Sequence, residues 1–165
     1  MLKEKEPVPL QDAEYIALAE FRYRLRKFQH HMEEQVRTLG VNPQQYQLLL
    51  AVKGLPRNQT PTIGRLAERM QLNHNSMVEL VDRSARSGLL RRGRSGPDRR
   101  LVSLSITAEG EGLLRKLGNA AREELRGSGP SLIDAIRRLT RNAKPGKPAR
   151  TRTKLRRGAS EKAGP

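Results

Sequence analysis

The stretch IGRLAERM (63–70), QLN (71–73), HNSMVELVDRSARSG (74–88), LLRR (89–92), GRSGPD (93–98) and RRLVSLSI (99–106) changes its hydrophobic period midway, and that change decides the fold. Ile63, Leu66, Ala67 and Met70 recur at helical spacing, with Thr60 or Thr62 placed to cap the segment. Leu72 and Asn73 leave room only for a tight connection into a second helix, His74–Ser87, closed by Gly88. Its inward positions are predicted to be Met77, Val78, Val81 and Ala85. The period then shortens to two. Leu89–Arg92 and Arg99–Ile106 read as strands around a turn-rich loop, with Val102, Leu104 and Ile106 on one side. Two short helices on a tight turn, followed by a basic hairpin, predict a mainly α fold with a small β-hairpin wing, a winged helix-turn-helix.

Working outward, residues 11–42 carry an apolar seam of Leu18, Phe21, Leu25, Phe28, Met32, Val36 and Leu39, one face of a long helix that Gly40 and Asn42-Pro43 end. Tyr46, Leu49, Leu50 and Val52 form the apolar face of the next helix. Downstream, Thr107 caps a helix carrying Leu113, Leu114, Leu117, Ala121 and Leu125, with Glu109 and Glu111 where the helix dipole favours acids. Gly127-Ser128-Gly129-Pro130 is expected to break it, leaving a last short helix with Leu132, Ile133, Ile136 and Leu139. The expected organisation is a loose lead over 1–10, a folded unit over 11–140 and a basic tail over 141–165. Within the folded unit, 43–106 form the lobe, flanked by 11–42 and 107–140. The first helix carries more seam than one small domain can easily bury, which suits a second copy.

The charge narrows the partner. The chain of 165 residues holds 33 Lys and Arg against 17 Asp and Glu, a formal net charge of +16. Half of that excess lies in residues 141–165, where nine basic residues face one acid, Glu161; almost nothing apolar is there to offset ordering entropy, so the tail is expected to stay unpacked. Such a balance points to a polyanion, double-stranded DNA in the first place. The absence of Cys removes disulfide scaffolds, Cys-ligated metals and thiol chemistry. The N-terminus mixes charges without the apolar region of a secretory signal, and the longest apolar run, Leu48–Val52, is far too short for a membrane span. The expected location is the cytoplasm, in association with the nucleoid.

Within the deciding stretch, His74, Asn75 and Ser76 open the second helix, whose N-terminal end is the part that contacts bases in such modules. Asn pairs bidentately with adenine, and His or Ser can donate to base or phosphate acceptors. Arg83 and Arg86 are candidates for phosphate contact or pairing within the domain. Between Arg83 and Arg100 stand seven Arg and one acid. That acid, Asp98, is expected to orient Arg99 or Arg100, with Arg94 alongside, so that the hairpin reaches the backbone or the minor groove.

These segments in order, Leu66-Ala67-Glu68-Arg69, His74 to Arg83, Gly88-Leu89-Leu90-Arg91-Arg92, Asp98-Arg99-Arg100 and Thr107-Ala108-Glu109-Gly110, resemble the MarR family of transcriptional regulators over roughly Asp12 to Leu139. The resemblance implies a homodimer built from the first and last helices, binding a palindromic operator and usually repressing transcription. It further implies release by a small aromatic or anionic effector, held between the dimer helices and the lobe, where Phe21, Phe28 and Tyr46 are the candidate lining. By position it gives His74, Asn75 and Ser76 to the major groove, Arg99 and Arg100 to the wing, and Asp98 to their salt bridge. Ser84-Ala85 departs from the usual Leu-Glu and is expected to remove a core contact.

Other chemistry finds little support. His30 and His31 point about 100° apart on a helix, with only Glu33 and Glu34 at i+3 or i+4 spacing. His74 and Asp82 lie too far apart on one helix to form an acid–base pair. The four Asp are not clustered and no glycine-rich phosphate loop exists. The chain reads as a non-enzyme without a cofactor or metal. The competing expectation is a sequence-independent nucleoid-associated or RNA-binding protein driven by the basic tail.

Overall fold

The computed structural model describes residues 10–94 and 102–141. Seven elements follow in order: α1 (Asp12–Thr38), α2 (Pro43–Lys53), α3 (Ile63–Met70), α4 (His74–Arg86), β1 (Leu90–Arg94), β2 (Val102–Ile106) and α5 (Ala108–Thr140).

Local chemistry sets most of the boundaries. Asn42 caps α2 by accepting from Gln44 N–H at 2.9 Å, Gln45 returns a bond to Asn42 N–H at 3.2 Å, and Pro43 sits at the first helical position. Thr62, of the two candidates, caps α3. Asn73 caps α4, accepting from Ser76 N–H at 2.8 Å. The turn between α3 and α4 passes through Gln71 at φ 55°, a left-handed position held by a residue other than glycine. At the end of α4, Gly88 takes φ 71°; Gly88 N–H donates to Ala85 O and Leu89 N–H to Ser84 O, which closes the last turn.

β1 and β2 pair antiparallel, Leu90 opposite Ile106 and Arg92 opposite Leu104. The predicted first strand starts one residue early and stops two short, because Leu89 is consumed by the helix terminus while pairing carries on to Arg94. A bridge between Thr62 and Ser103, with Leu104 N–H donating to Pro61 O at 3.0 Å, fastens the hairpin to the start of α3.

The core joins α2, α3, α4 and the hairpin to the adjoining halves of α1 and α5, through Met32, Val36, Leu114 and Leu117. Three expected inward positions shift. On α4 the fully enclosed residues are Met77, Leu80, Val81 and Ser84, while Val78 and Ala85 are only half-buried, since the stripe runs three, four and seven residues from Met77. Ser84 thus occupies a core place, its hydroxyl satisfied by donation to Leu80 O at 2.8 Å. On α2, Leu48 is enclosed and Leu50 is exposed, because α2 is covered along the 45–48–49 line.

The larger correction concerns the C-terminal helix. No break occurs at Gly127–Pro130: α5 runs unbroken for 33 residues with Pro130 inside it. Proline removes one helical hydrogen bond and costs about 3 kcal/mol in a helix interior. The helix nonetheless continues in contact with α1, the backbones close enough that Ala17 and Ala135 are both buried. Tertiary contact overrides the local breaker.

Candidate nucleic-acid interface

α4 presents its first turn outward. His74 and Asn75 are exposed and Ser76 half-buried, while Met77, the next residue, is fully enclosed and anchors the turn. With Asn73 taking Ser76 N–H, the N–H groups of His74 and Asn75 have no helical acceptor. A turn of this kind offers side-chain donors, a side-chain amide and free backbone N–H groups on one convex surface, the chemistry that base edges and phosphates accept.

The other predicted contacts divide. Arg83 and Arg86 are exposed but stand at the far end of α4, about 14–18 Å along the axis from His74 at 1.5 Å per residue. They do not join the first-turn cluster; they meet Asn42, Gln45 and Ser87. Arg94 lies on β1 opposite Val102. Its side chain, and Asp98, Arg99 and Arg100 with the ion pair expected among them, lie outside the described residues.

One strut was missed by sequence reasoning. Arg92 of β1 bonds Asp82 of α4 at 2.5 Å, tying the hairpin to the helix beside it. Ten residues and a chain reversal separate the pair, so no periodicity marks it. Arg91, exposed and opposite Ser105, and Arg65, whose Nη1 donates to Thr60 O at 2.6 Å before α3, add basic groups around the same lobe.

The hairpin root is fixed to α5. Thr107 Oγ1 bonds Gly88 O at 2.6 Å while accepting from Gly110 N–H at 3.1 Å, and Thr107 N–H donates to Leu89 O. Gly110 is pressed against Leu89 O, with room for no side chain.

Between α1, α2 and α5 opens a cleft of about 710 Å³. Phe28 and Tyr46 line it; Phe21 does not. Met32, Leu50 and Leu125 supply apolar wall and Glu33 the one charged group. Burial pushes the Tyr46 phenol above its ordinary pKa.

Among the described residues no three His, Cys, Asp or Glu gather as a metal set. His30 faces Glu34 at 3.2 Å, and His31 lies 4.0 Å from Glu124 of α5. No described helix is long and apolar enough to cross a membrane.

Helix–turn–helix, hairpin and exposed recognition turn define the class: a winged helix-turn-helix protein. Residues 39–101 match the model of the MarR family. The chain is similar to the HTH-type transcriptional repressor MdtR of Bacillus subtilis (strain 168), at 30% identity over 86 residues, which cover 52% of this chain and 54% of that protein. The chain spans about half the length of the curated relatives it matches. In fold it is similar to AbsC, a MarR family transcriptional regulator from Streptomyces coelicolor, with TM-score 0.64 and 19% identity over 82% of this chain and 92% of that one. It is also similar to a mutant of S. aureus MepR bound to an oligodeoxyribonucleotide, with TM-score 0.58 and 18% identity over 68% of this chain and 80% of that one.

Proposed function

We propose that the protein is a sequence-specific DNA-binding transcriptional regulator, acting as a homodimeric repressor on a palindromic operator in the cytoplasm, in association with the nucleoid. The observation that carries this reading is the exposed first turn of α4, His74-Asn75-Ser76, held on an enclosed core beside a basic hairpin. In it His74, Asn75 and Ser76 read base edges in the major groove, and Arg83 and Arg86 face the backbone. Arg94, Arg99 and Arg100, oriented by Asp98, reach toward the minor groove. The similarity to a transcriptional repressor, and to the fold of a protein solved on an oligodeoxyribonucleotide, supports it. The long helices at 11–42 and 107–140 form the dimer, supported by exposed Tyr15, Ile16, Tyr23, Ile133 and Ile136. A small aromatic or anionic effector in the cleft beside Phe28 and Tyr46 releases the DNA.

The test is a gel-shift titration of the full chain on its own promoter region against random duplex, guided by genome-wide footprinting. A marked preference is expected, and Arg100→Ala should cost about 1–3 kcal/mol of binding. Equal affinity for both duplexes defeats the reading.

The net charge of +8 over residues 141–165 favours a second reading, sequence-independent binding to nucleic acid. Deleting that segment separates the two. A specific regulator keeps its preference with lower affinity and a shallower salt dependence, whereas a tail-driven binder loses most of its binding.

A further inference from the structure

The start of α2 and the end of α4 meet around a concavity of about 370 Å³ lined by Asn42, Gln45, Arg83, Arg86 and Ser87. Gln45, buried at 8% exposure, fastens the two helix ends together: its Oε1 accepts from Asn42 N–H and its Nε2 donates to Ser87 Oγ, each at 3.2 Å. These bonds fix what the concavity has left to offer. Ser87 Oγ accepts from Gln45, so its own hydrogen is free to donate outward. Asn42 Oδ1 accepts from Gln44 N–H, which leaves the amide NH₂.

Among the described residues the two guanidinium groups have no ion-pair partner. The carbonyls of Arg83, Ala85 and Ser84 are taken by the N–H groups of Ser87, Gly88 and Leu89. Among the described residues no carboxylate lies within 4.0 Å of the Arg83 or Arg86 guanidinium. The first-turn N–H groups of α2 play no part, since its own capping box occupies them. The side-chain groups left to meet a ligand are donors, two of them carrying charge. A ligand that matches them accepts only and is negative.

We propose that Arg83, Arg86, Asn42 and Ser87 form a seat for one oxyanion of the phosphate class, at the opposite end of α4 from the His74-Asn75-Ser76 turn. The oxyanion comes from a nucleic-acid backbone or from a free phosphate compound. Only for the backbone source does the inference rest on the DNA-binding reading above. The seat itself does not, because its residues and their unfilled donors stand without any operator. Occupancy would stiffen the junction of α2 and α4 that Gln45 already bridges.

The experiment titrates inorganic phosphate into the full ¹⁵N-labelled chain at constant ionic strength, and does the same with the double variant Arg83→Gln, Arg86→Gln. Both arginines are exposed, so the fold does not depend on them. Saturating shifts at the amides of Asn42 and Ser87 and at the Gln45 side chain are expected, weakened tenfold or more in the double variant. Arg83→Lys with Arg86→Lys should fall between, having kept the charge and lost the planar fork. Shifts absent from those three residues, or equal in the wild type and the Gln variant, overturn the seat. The source is then read from DNA binding. A salt slope shallower by about 0.9 in the Gln variant means that a backbone phosphate fills the seat. An unchanged slope, with the phosphate shifts lost, means a free oxyanion. Because the titration needs no operator, failure of the seat and failure of the regulatory reading are told apart.

Discussion

The lobe from α2 to β2 and the outer stretches of α1 and α5 obey the same helix rules yet end in opposite conditions. In the lobe Leu48, Leu49, Leu66, Met77 and Val81 are completely enclosed, and each helix start is satisfied by its own cap. Along the outer part of the long pair only Ala17 and Ala135 are buried, while Ile16 stands 70% and Ile133 50% exposed. Alanines between two helices bring the backbones close but remove little apolar area from water, at roughly 25 cal/mol per Å². The lobe is therefore stabilised by its own interior. The long helices keep their larger side chains for some other surface.

The sharpest way to break this contrast is inside the lobe. Leu49→Ala should cost about 2–5 kcal/mol in urea unfolding, the range for emptying a fully buried leucine site. A loss below that range would mean that the lobe relaxes around the gap and is less tightly finished than its burial indicates. Next comes the seam between lobe and long helix. A methyl group at position 110 meets Leu89 O and stands 2.7 Å from Ile106 Cγ2, so Gly110→Ala should cost about 1–3 kcal/mol. Gly112→Ala, with nothing within 4 Å, should instead gain up to about 1 kcal/mol by helix propensity.

On the long pair the expected stability change is smaller and its readout different. Ile16→Glu should leave protomer stability within about 0.5 kcal/mol, since the side chain is mostly in water. For the proposed homodimer, light scattering should nonetheless show the mass falling from two chains to one; an unchanged mass removes Ile16 from the proposed self-association surface.

The smallest effect belongs to Tyr46, which sits where lobe and long helices meet. Its phenol pKa is raised by burial above the ordinary 10.0. The native state thus holds the proton more tightly than the unfolded chain. The associated stability is present in full below that value and is lost as pH climbs past it through the folded pKa. Tyr46→Phe should unfold like the wild type near pH 7 and lose less stability as the pH rises past the ordinary phenol value. Parallel pH curves for the two proteins would argue that the cleft beside Tyr46 is wet.

The lobe was legible because its signals are local and agree. Thr62, Asn73 and Gly88 mark boundaries at the places where the hydrophobic period starts or stops, and propensity, capping and period coincide. The start of α4 at His74 was legible for the same reason. What escaped was set by distance in the chain. Gly127–Pro130 carries every local mark of a break, and only packing on α1, over a hundred residues away, keeps the helix whole. Asp82 with Arg92, and Gln45 with Ser87, join segments whose relative placement no period encodes. Ser84 looked like a lost contact because composition says nothing of the carbonyl at Leu80 that satisfies it. Phe21 shares a seam with Phe28, yet it does not line the cleft.

The close approach at Gly110 has a mechanical consequence. With a lone hydrogen separating the first turn of α5 from Leu89, and Thr107 bonded across the same gap, hairpin and long helix share one foot. The root of the finger cannot swing alone. Whatever pivots it must also carry a rod about 50 Å long, 33 residues at 1.5 Å each, so a slight cant at one end becomes a wide sweep at the other.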